Sequence, residues 1–313
     1  MSQAKQKLLI ILPGALRWAT ELECQLSTLF DLQFLDLQIM GPKSPEECLV
    51  AAVKCSNLIN QTIRKFKPNG IYVSCEFAWD IFLQPEFTIP FDPNRVLFML
   101  WDDVLFHEKN LSVVEAHSIS RIFIADKIGE LVYRRMGYEA TFCPLEGSNQ
   151  HYFPSPTGST RYQVSFFGQL NKADRRNFVE QISIRNPVKI FGQQNYDDNK
   201  LLFYAQLCDE IRSSQLILNC SKSSQQHNPR IFYQFKGRIL EALFCGVLPI
   251  TEFCPATKLL FENLVPQFDN VDEACNLVEE LLKDQKKRRF LAKEASLLAE
   301  RYRPEKIYKE IEF

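Results

Sequence analysis

Apolar positions along this chain follow two rhythms that alternate from one end to the other. Residues 8–12, 71–74, 96–100 and 121–125 are short, nearly unbroken apolar runs, the pattern of strands buried on both faces. Segments 34–39 and 141–144 read as further strands. Between them, 16–30, 45–66 and 127–136 repeat apolar residues at helical spacing, with Pro13-Gly14 and Lys67-Pro68-Asn69-Gly70 supplying turns. The second half resumes the alternation. Strands are expected over 162–167, 188–191, 216–219, 247–250 and 264–268. Helices are expected over 177–184, 202–213, 257–263, 272–283 and 285–301, with Pro304 ending the regular pattern. Strands alternating with helices predict α/β architecture, a parallel sheet covered on both faces.

The alternation is interrupted once. Residues 143–154 lead into Ser155-Pro156-Thr157-Gly158-Ser159, a polar cluster that reads as a linker. A chain of 313 residues divides naturally into two domains of about 150 each.

With 46% hydrophobic and 24% charged residues, the composition is that of a globular protein. A formal net charge of −1 supplies no general basic field for nucleic acid or an anionic membrane, so any phosphate binding must be local. The Lys and Arg run at 286–289 falls in a helical pattern and reads as a solvated face. Ten cysteines without a Cys-x-x-Cys pair, with Cys75, Cys220 and Cys245 in or beside apolar segments, read as buried reduced thiols. The opening apolar run is broken by Pro13 and followed by Arg17, Glu21 and Glu23, and no stretch reaches the ~20 apolar residues of a membrane span. A cytoplasmic location without a transmembrane segment is the expectation.

Ligands of parallel sheets bind at the carboxyl ends of strands. In the first half those positions hold Pro13-Gly14, Glu76, Trp101-Asp102-Asp103 and Asp126. Asp102 and Asp103 suit either a general base or a helix cap, and Glu76 and His107 are lesser candidates for the base. His107 and His117 lack metal-ligand spacing.

In the second half, Gly168 follows a strand and precedes a helix. A backbone turn of that kind can approach an anion, and Lys172, Arg175 and Arg176 add positive charge. Neither G-x-G-x-x-G nor a P-loop is present. Phe191, before Gly192, suits stacking on a base or simple core packing. The hydrophilic stretch 224–229, with His227, reads either as a loop over the site or as ordinary surface. The stretch 236–252, KGRILEALFCGVLPITE, sets Arg238 and Glu241 one turn apart on a helix that Gly246 ends in a left-handed turn. A guanidinium suits a diphosphate and a carboxylate suits ribose hydroxyls; the same spacing also suits an intrahelical ion pair.

The string Arg238, Glu241-Ala242, Cys245-Gly246, Pro249, Thr251-Glu252 resembles the sugar-nucleotide-binding segment of GT-B glycosyltransferases. The resemblance is to the spore-maturation-type group, among the glycosyl transferases of group 1, and it spans about 162–302. Gly147, Asn149 and Phe153-Pro154 resemble the interdomain strand of that fold. The resemblance implies two Rossmann-like domains with parallel sheets and a deep inter-domain cleft. Residues 1–154 would bind the acceptor, 155–302 the nucleotide sugar, and 303–313 would cross back to the first domain. It further implies metal-independent transfer of a sugar from a nucleoside-diphosphate sugar, used as substrate with no cofactor, to an acceptor hydroxyl. The donor would be held by Gly168, Lys172, Arg175, Gly192, Arg238 and Glu241, with Asp103 or Asp102 as base in an inverting enzyme. Glu241 matches the second glutamate of the two-glutamate motif of related enzymes, whereas Tyr233 stands where the first would be. That departure keeps open a catalytically silent module that binds a nucleotide or glycan as a partner subunit.

Overall fold

The computed structural model describes residues 5–14, 17–39, 41, 43–76, 78–101, 103–154, 160–168, 170, 173–191, 204–225 and 228–313. The chain divides into two compact units, Met1–Leu145 with Pro304–Phe313, and Glu146–Arg303.

The first unit is built on six parallel strands: β1 (Gln6–Leu12), β2 (Phe30–Asp36), β3 (Gly70–Ser74), β4 (Val96–Leu100), β5 (Arg121–Ile124) and β6 (Glu139–Phe142). They lie in the order β2-β1-β3-β4-β5-β6. Successive side chains of a strand point to opposite faces, which explains why these segments are apolar throughout. Leu9 and Ile11 enter one core with Val73, Phe98 and Ile122, beneath α2 (Pro45–Phe66), α3 (Trp79–Phe82) and α4 (Asp103–Ala116). Leu8, Ile10 and Leu12 enter a second core with Tyr72, Leu97 and Met99, beneath α1 (Arg17–Leu26). Helix α5 (Lys127–Arg135) joins β5 to β6.

The second unit has five parallel strands: β7 (Tyr162–Phe167), β8 (Val188–Phe191), β9 (Ser214–Asn219), β12 (Leu248–Glu252) and β13 (Gln267–Phe268), in the order β13-β12-β9-β7-β8. Between β9 and β12 the chain makes an antiparallel pair, β10 (Lys222–Gln225) and β11 (Asn228–Tyr233). Helices α6 (Ala173–Arg185), α7 (Tyr204–Arg212), α8 (Arg238–Phe244), α9 (Pro255–Phe261), α10 (Val271–Lys283) and α11 (Gln285–Ala299) complete the unit. Helix α8 ends as its sequence requires: Gly246 sits at φ +76°, and Val247 N returns to Ala242 O at 2.9 Å.

Three elements depart from the expectations. Strand β2 begins at Phe30, so the helix expected to reach residue 30 stops at Leu26. Within the hydrophilic stretch 224–229, Ser224, Gln225, Asn228 and Pro229 belong to the β10–β11 pair, where backbone pairing supplies the stability that their side chains do not advertise, and Gln226 lies outside the described residues. His227 lies outside the described residues. Pro304 starts a helix, α12 (Pro304–Lys309), because a proline at the first helical position lacks only an N–H that would have gone unused. Tyr308 of α12 is buried in the first unit, its ring edge-on to Tyr72 at 6.4 Å.

All ten cysteines are free thiols. Among the described residues, no helix is long and apolar enough to cross a membrane.

Candidate functional site

In each sheet the strand order reverses direction beside its first strand, at β1/β3 in the first unit and at β7/β9 in the second. The carboxyl ends of strands at such a reversal form the natural ligand crevice of an open α/β sheet.

In the second unit the reversal brings Phe167-Gly168 beside Asn219-Cys220. Arg238 opens α8 there. Its guanidinium lies 5.4 Å from the centroid of the Phe167 ring and donates through NH1 to Glu241 Oε2. Glu241 is 3% exposed, an unusual burial for a carboxylate, and Arg238 is its cationic partner. Arg175 belongs to the same edge. The Cys220 thiol is pushed up to about 12 by burial and the charge of Glu252, against the opposing pull of Arg175, Lys236 and Lys222. Arg175, Lys236 and Lys222 are thus near enough to the end of β9 to act on that thiol, and Arg238 follows two residues beyond Lys236. Gly168 completes the turn after β7, its N–H donating to Phe191 O at 3.1 Å.

The floor of this edge is a buried polar knot. Asn219 Nδ2 donates to Thr251 Oγ1 at 2.8 Å and to Ser221 Oγ at 3.2 Å, and Ser221 Oγ lies 2.9 Å from Thr251 Oγ1. Lys222 N donates to Glu252 Oε2 at 3.1 Å. The ends of β9 and β12 are thereby locked together, a rigid base for the charged side chains at this edge.

A second carboxylate, that of Glu146, shares the space beside Gly237 with Glu241. A Cβ added at Gly237 would lie 3.1 Å from Glu146 Oε2 and 3.8 Å from Glu241 Oε1, so the glycine leaves room for two acidic side chains. The segment carrying Glu146 is anchored by Arg303, whose NH1 donates to Gly147 O at 2.9 Å and Tyr152 O at 2.7 Å. Glu146 carries no motif in the sequence, because its approach to Gly237 and Glu241 is a tertiary contact that local spacing does not report.

Phe191 stacks on Phe167 with centroids 4.6 Å apart and planes 6° apart, and Tyr162 packs edge-on at 5.6 Å. Its ring packs within the aromatic row that leads to Arg238. Tyr233 and Phe253 are both 40% exposed and lie 6.0 Å apart, ring edge to face. The structure thus brings Gly168, Arg175, Arg238 and Glu241 to one sheet edge. Lys172 and Gly192 lie outside the described residues.

In the first unit, Glu76 is fully buried at the end of β3, and its Oε2 accepts Trp101 N at 3.3 Å. It fixes the chain where β4 leads into the two aspartates. Asp102 lies outside the described residues, as does the side chain of Asp103, which opens α4. Asp126 is a cap, accepting Ile128 N at 2.8 Å and Gly129 N at 3.3 Å. The His107 ring packs edge-on to Tyr133 at 5.1 Å.

Comparison with known proteins bears on the fold and on the second unit. Residues 173–311 match the family model described as glycosyl transferase-like. No match was found among curated proteins. Sucrose-phosphate synthase from Thermosynechococcus elongatus superposes with a TM-score of 0.64 at 12% identity, over 96% of this chain and 95% of that one. Anabaena HepE in complex with UDP-glucose gives 0.62 at 14% identity, over 97% of both chains. A glycosyltransferase from Rickettsia africae gives 0.57 at 10% identity, over 96% of this chain and 94% of that one. The chain has the GT-B fold of these proteins, and its segment 173–311 matches the glycosyl transferase-like family model.

Proposed function

We propose that the chain transfers a sugar from a nucleoside-diphosphate sugar to an acceptor hydroxyl, with protein cations rather than a metal ion stabilising the leaving diphosphate. One observation carries this reading. The family match covers the residues that gather Arg175, Lys236, Arg238 and Glu241 at the carboxyl edge of the second sheet. HepE, of the same fold, has been crystallised with UDP-glucose, which makes UDP-glucose the first donor to try.

In this reading the diphosphate replaces Glu241 as the anionic partner of Arg238, and Arg175 and Lys172 add charge where the leaving oxygen develops it. Released from the guanidinium, the Glu241 carboxylate accepts ribose hydroxyls. Gly168 and Gly192 let the backbone approach the phosphates. Asp103 or Asp102 deprotonates the acceptor hydroxyl if the enzyme inverts, with Glu76 holding the preceding Trp101 in place.

The test is calorimetric titration with UDP and UDP-glucose, followed by an assay for donor turnover. Saturable binding with release of UDP supports the transferase. Binding without turnover assigns the chain as a silent nucleotide-binding subunit, the reading that Tyr233 in place of a glutamate favours. The titration is repeated with GDP and ADP, and absence of binding to all three nucleoside diphosphates overturns both.

A further inference from the structure

Two residues of the basic run at 286–289, Arg288 and Arg289, line a groove. A groove of about 590 Å³ opens on the second unit at the amino ends of β9 and β12, where Ser214 and Leu248 line it. In a parallel sheet that is the edge opposite the Arg238 cluster. Its charged lining is Arg212, Arg288, Arg289, Lys293 and Glu300, four cations against one carboxylate, in a chain whose net charge is −1.

The charges are not equally available. Glu300 Oε1 is taken by Arg303, at 2.9 Å from Nε and 2.7 Å from NH2. Arg212 is held by Asp209 at 2.6 Å and by the carbonyls of His151 and Phe153. Arg289 and Lys293 are exposed, one turn apart on α11, and neither has an ion-pair partner among the described residues. Like charges at that spacing repel. Arg288 is only 8% exposed, donates through NH1 to Leu281 O and Leu282 O, and has no carboxylate partner among the described residues. Burial, then the charge of Arg289, draws its pKa down. Three neighbouring cations without a counter-charge are an arrangement that an anion relieves. Val247 and Leu248 offer an apolar wall to the rest of a ligand, and the volume lies within the usual range for small-molecule sites.

We propose that this groove is a second ligand site, separate from the donor edge, for a phosphorylated small molecule. Its phosphate meets Arg289 and Lys293, and its body rests against Val247 and Leu248. A concave, partly apolar groove suits a soluble phosphoester better than the flat face of a membrane.

The experiment titrates glycerol 3-phosphate, inorganic phosphate and, separately, phosphatidylglycerol vesicles into the full chain by calorimetry, with and without saturating UDP. Saturable binding that survives UDP, survives Arg238→Met, and weakens about tenfold or more in Arg289→Gln/Lys293→Gln is the expected result. Both substituted side chains are exposed, so that double variant keeps its fold and its donor turnover. No saturable binding, equal affinity in the double variant, or loss of binding with UDP or Arg238→Met overturns the proposal. So does binding confined to phosphatidylglycerol vesicles. The result is independent of the transferase reading, because the Arg289/Lys293 variant is read without a donor assay.

Discussion

Arg238 and Glu241 face each other across one turn of α8, guanidinium to carboxylate, with Arg238 also lying over the ring of Phe167. The contact is an ion pair, and it stands at the carboxyl edge of the second sheet, the edge proposed above for the donor. A purely structural pair and a ligand-exchanging pair respond differently when the charges are exchanged. In Arg238→Glu/Glu241→Arg the pair can re-form, so thermal stability recovers most of what Arg238→Met loses. Arg238→Met leaves a buried carboxylate unpaired, at a cost of about 1–3 kcal/mol. UDP binding does not recover in the exchanged variant, because the cation has left Phe167 and the diphosphate position. Denaturation and UDP titration on the three proteins check this. Recovery of both stability and UDP affinity in the exchanged variant would make the pair structural only.

Gly246 makes a second, purely conformational demand. At φ +76° any side chain is strained, by about 1–2 kcal/mol, and a Cβ would stand 3.2 Å from Pro154 Cβ. Gly246→Ala should lower the urea midpoint by an amount worth about 1–2 kcal/mol with the slope unchanged. A midpoint within error of the parent would show that the turn relaxes.

The same two positions show what the sequence could and could not disclose. Gly246 was legible because a left-handed helix end favours glycine, and the Arg238–Glu241 spacing was legible because α-helical geometry is local. The buried runs at 8–12 and 96–100 were legible because both faces of their strands are covered. Glu146 was not, since it nears Gly237, at the start of α8, across some 90 positions of chain, beside a segment that Arg303 anchors from over 150 positions away. Nor was the β10–β11 pair, where hydrophilic residues such as Ser223, Ser224 and Gln225 are held by backbone bonds that composition does not report. Long-range contacts and backbone pairing are the two things that periodicity cannot see.

Gly70 tests the attachment of the C-terminal segment within the first unit. A Cβ there would fall 2.1 Å from the Phe313 ring, which packs against Phe30 at 5.8 Å. Gly70→Ala must expel that ring, costing about 1–3 kcal/mol. Phe313→Ala removes the obstruction along with its own packing, so the double variant should be little worse than Phe313→Ala alone. A double-mutant cycle by urea denaturation reads the coupling, and simple additivity would place Phe313 away from β3 in solution.

His117 gives the fold a pH dependence of defined sign. One ring nitrogen, Nε2, lies 2.8 Å from Phe82 O, and the ring stands edge-on to Phe87 at 5.6 Å. The carbonyl can only accept, so Nε2 carries the proton and the ring is held neutral among aromatic neighbours. Burial lowers its pKa from 6.5, outweighing the hydrogen bond to Phe82. Above pH 6.5 folded and unfolded chains are both neutral at this site, and stability does not change. Below it the unfolded chain takes up the proton first, so stability falls until the pH passes the lowered folded pKa, and then levels. His151, lowered by burial in the second unit, adds a loss of the same sign, so removing His117 should reduce the slope without abolishing it. His117→Gln keeps a donor for Phe82 O and cannot titrate. Its Tm between pH 7.5 and pH 5.5 should therefore fall less than that of the parent, and parallel curves for the two proteins would mean that the imidazole is solvated.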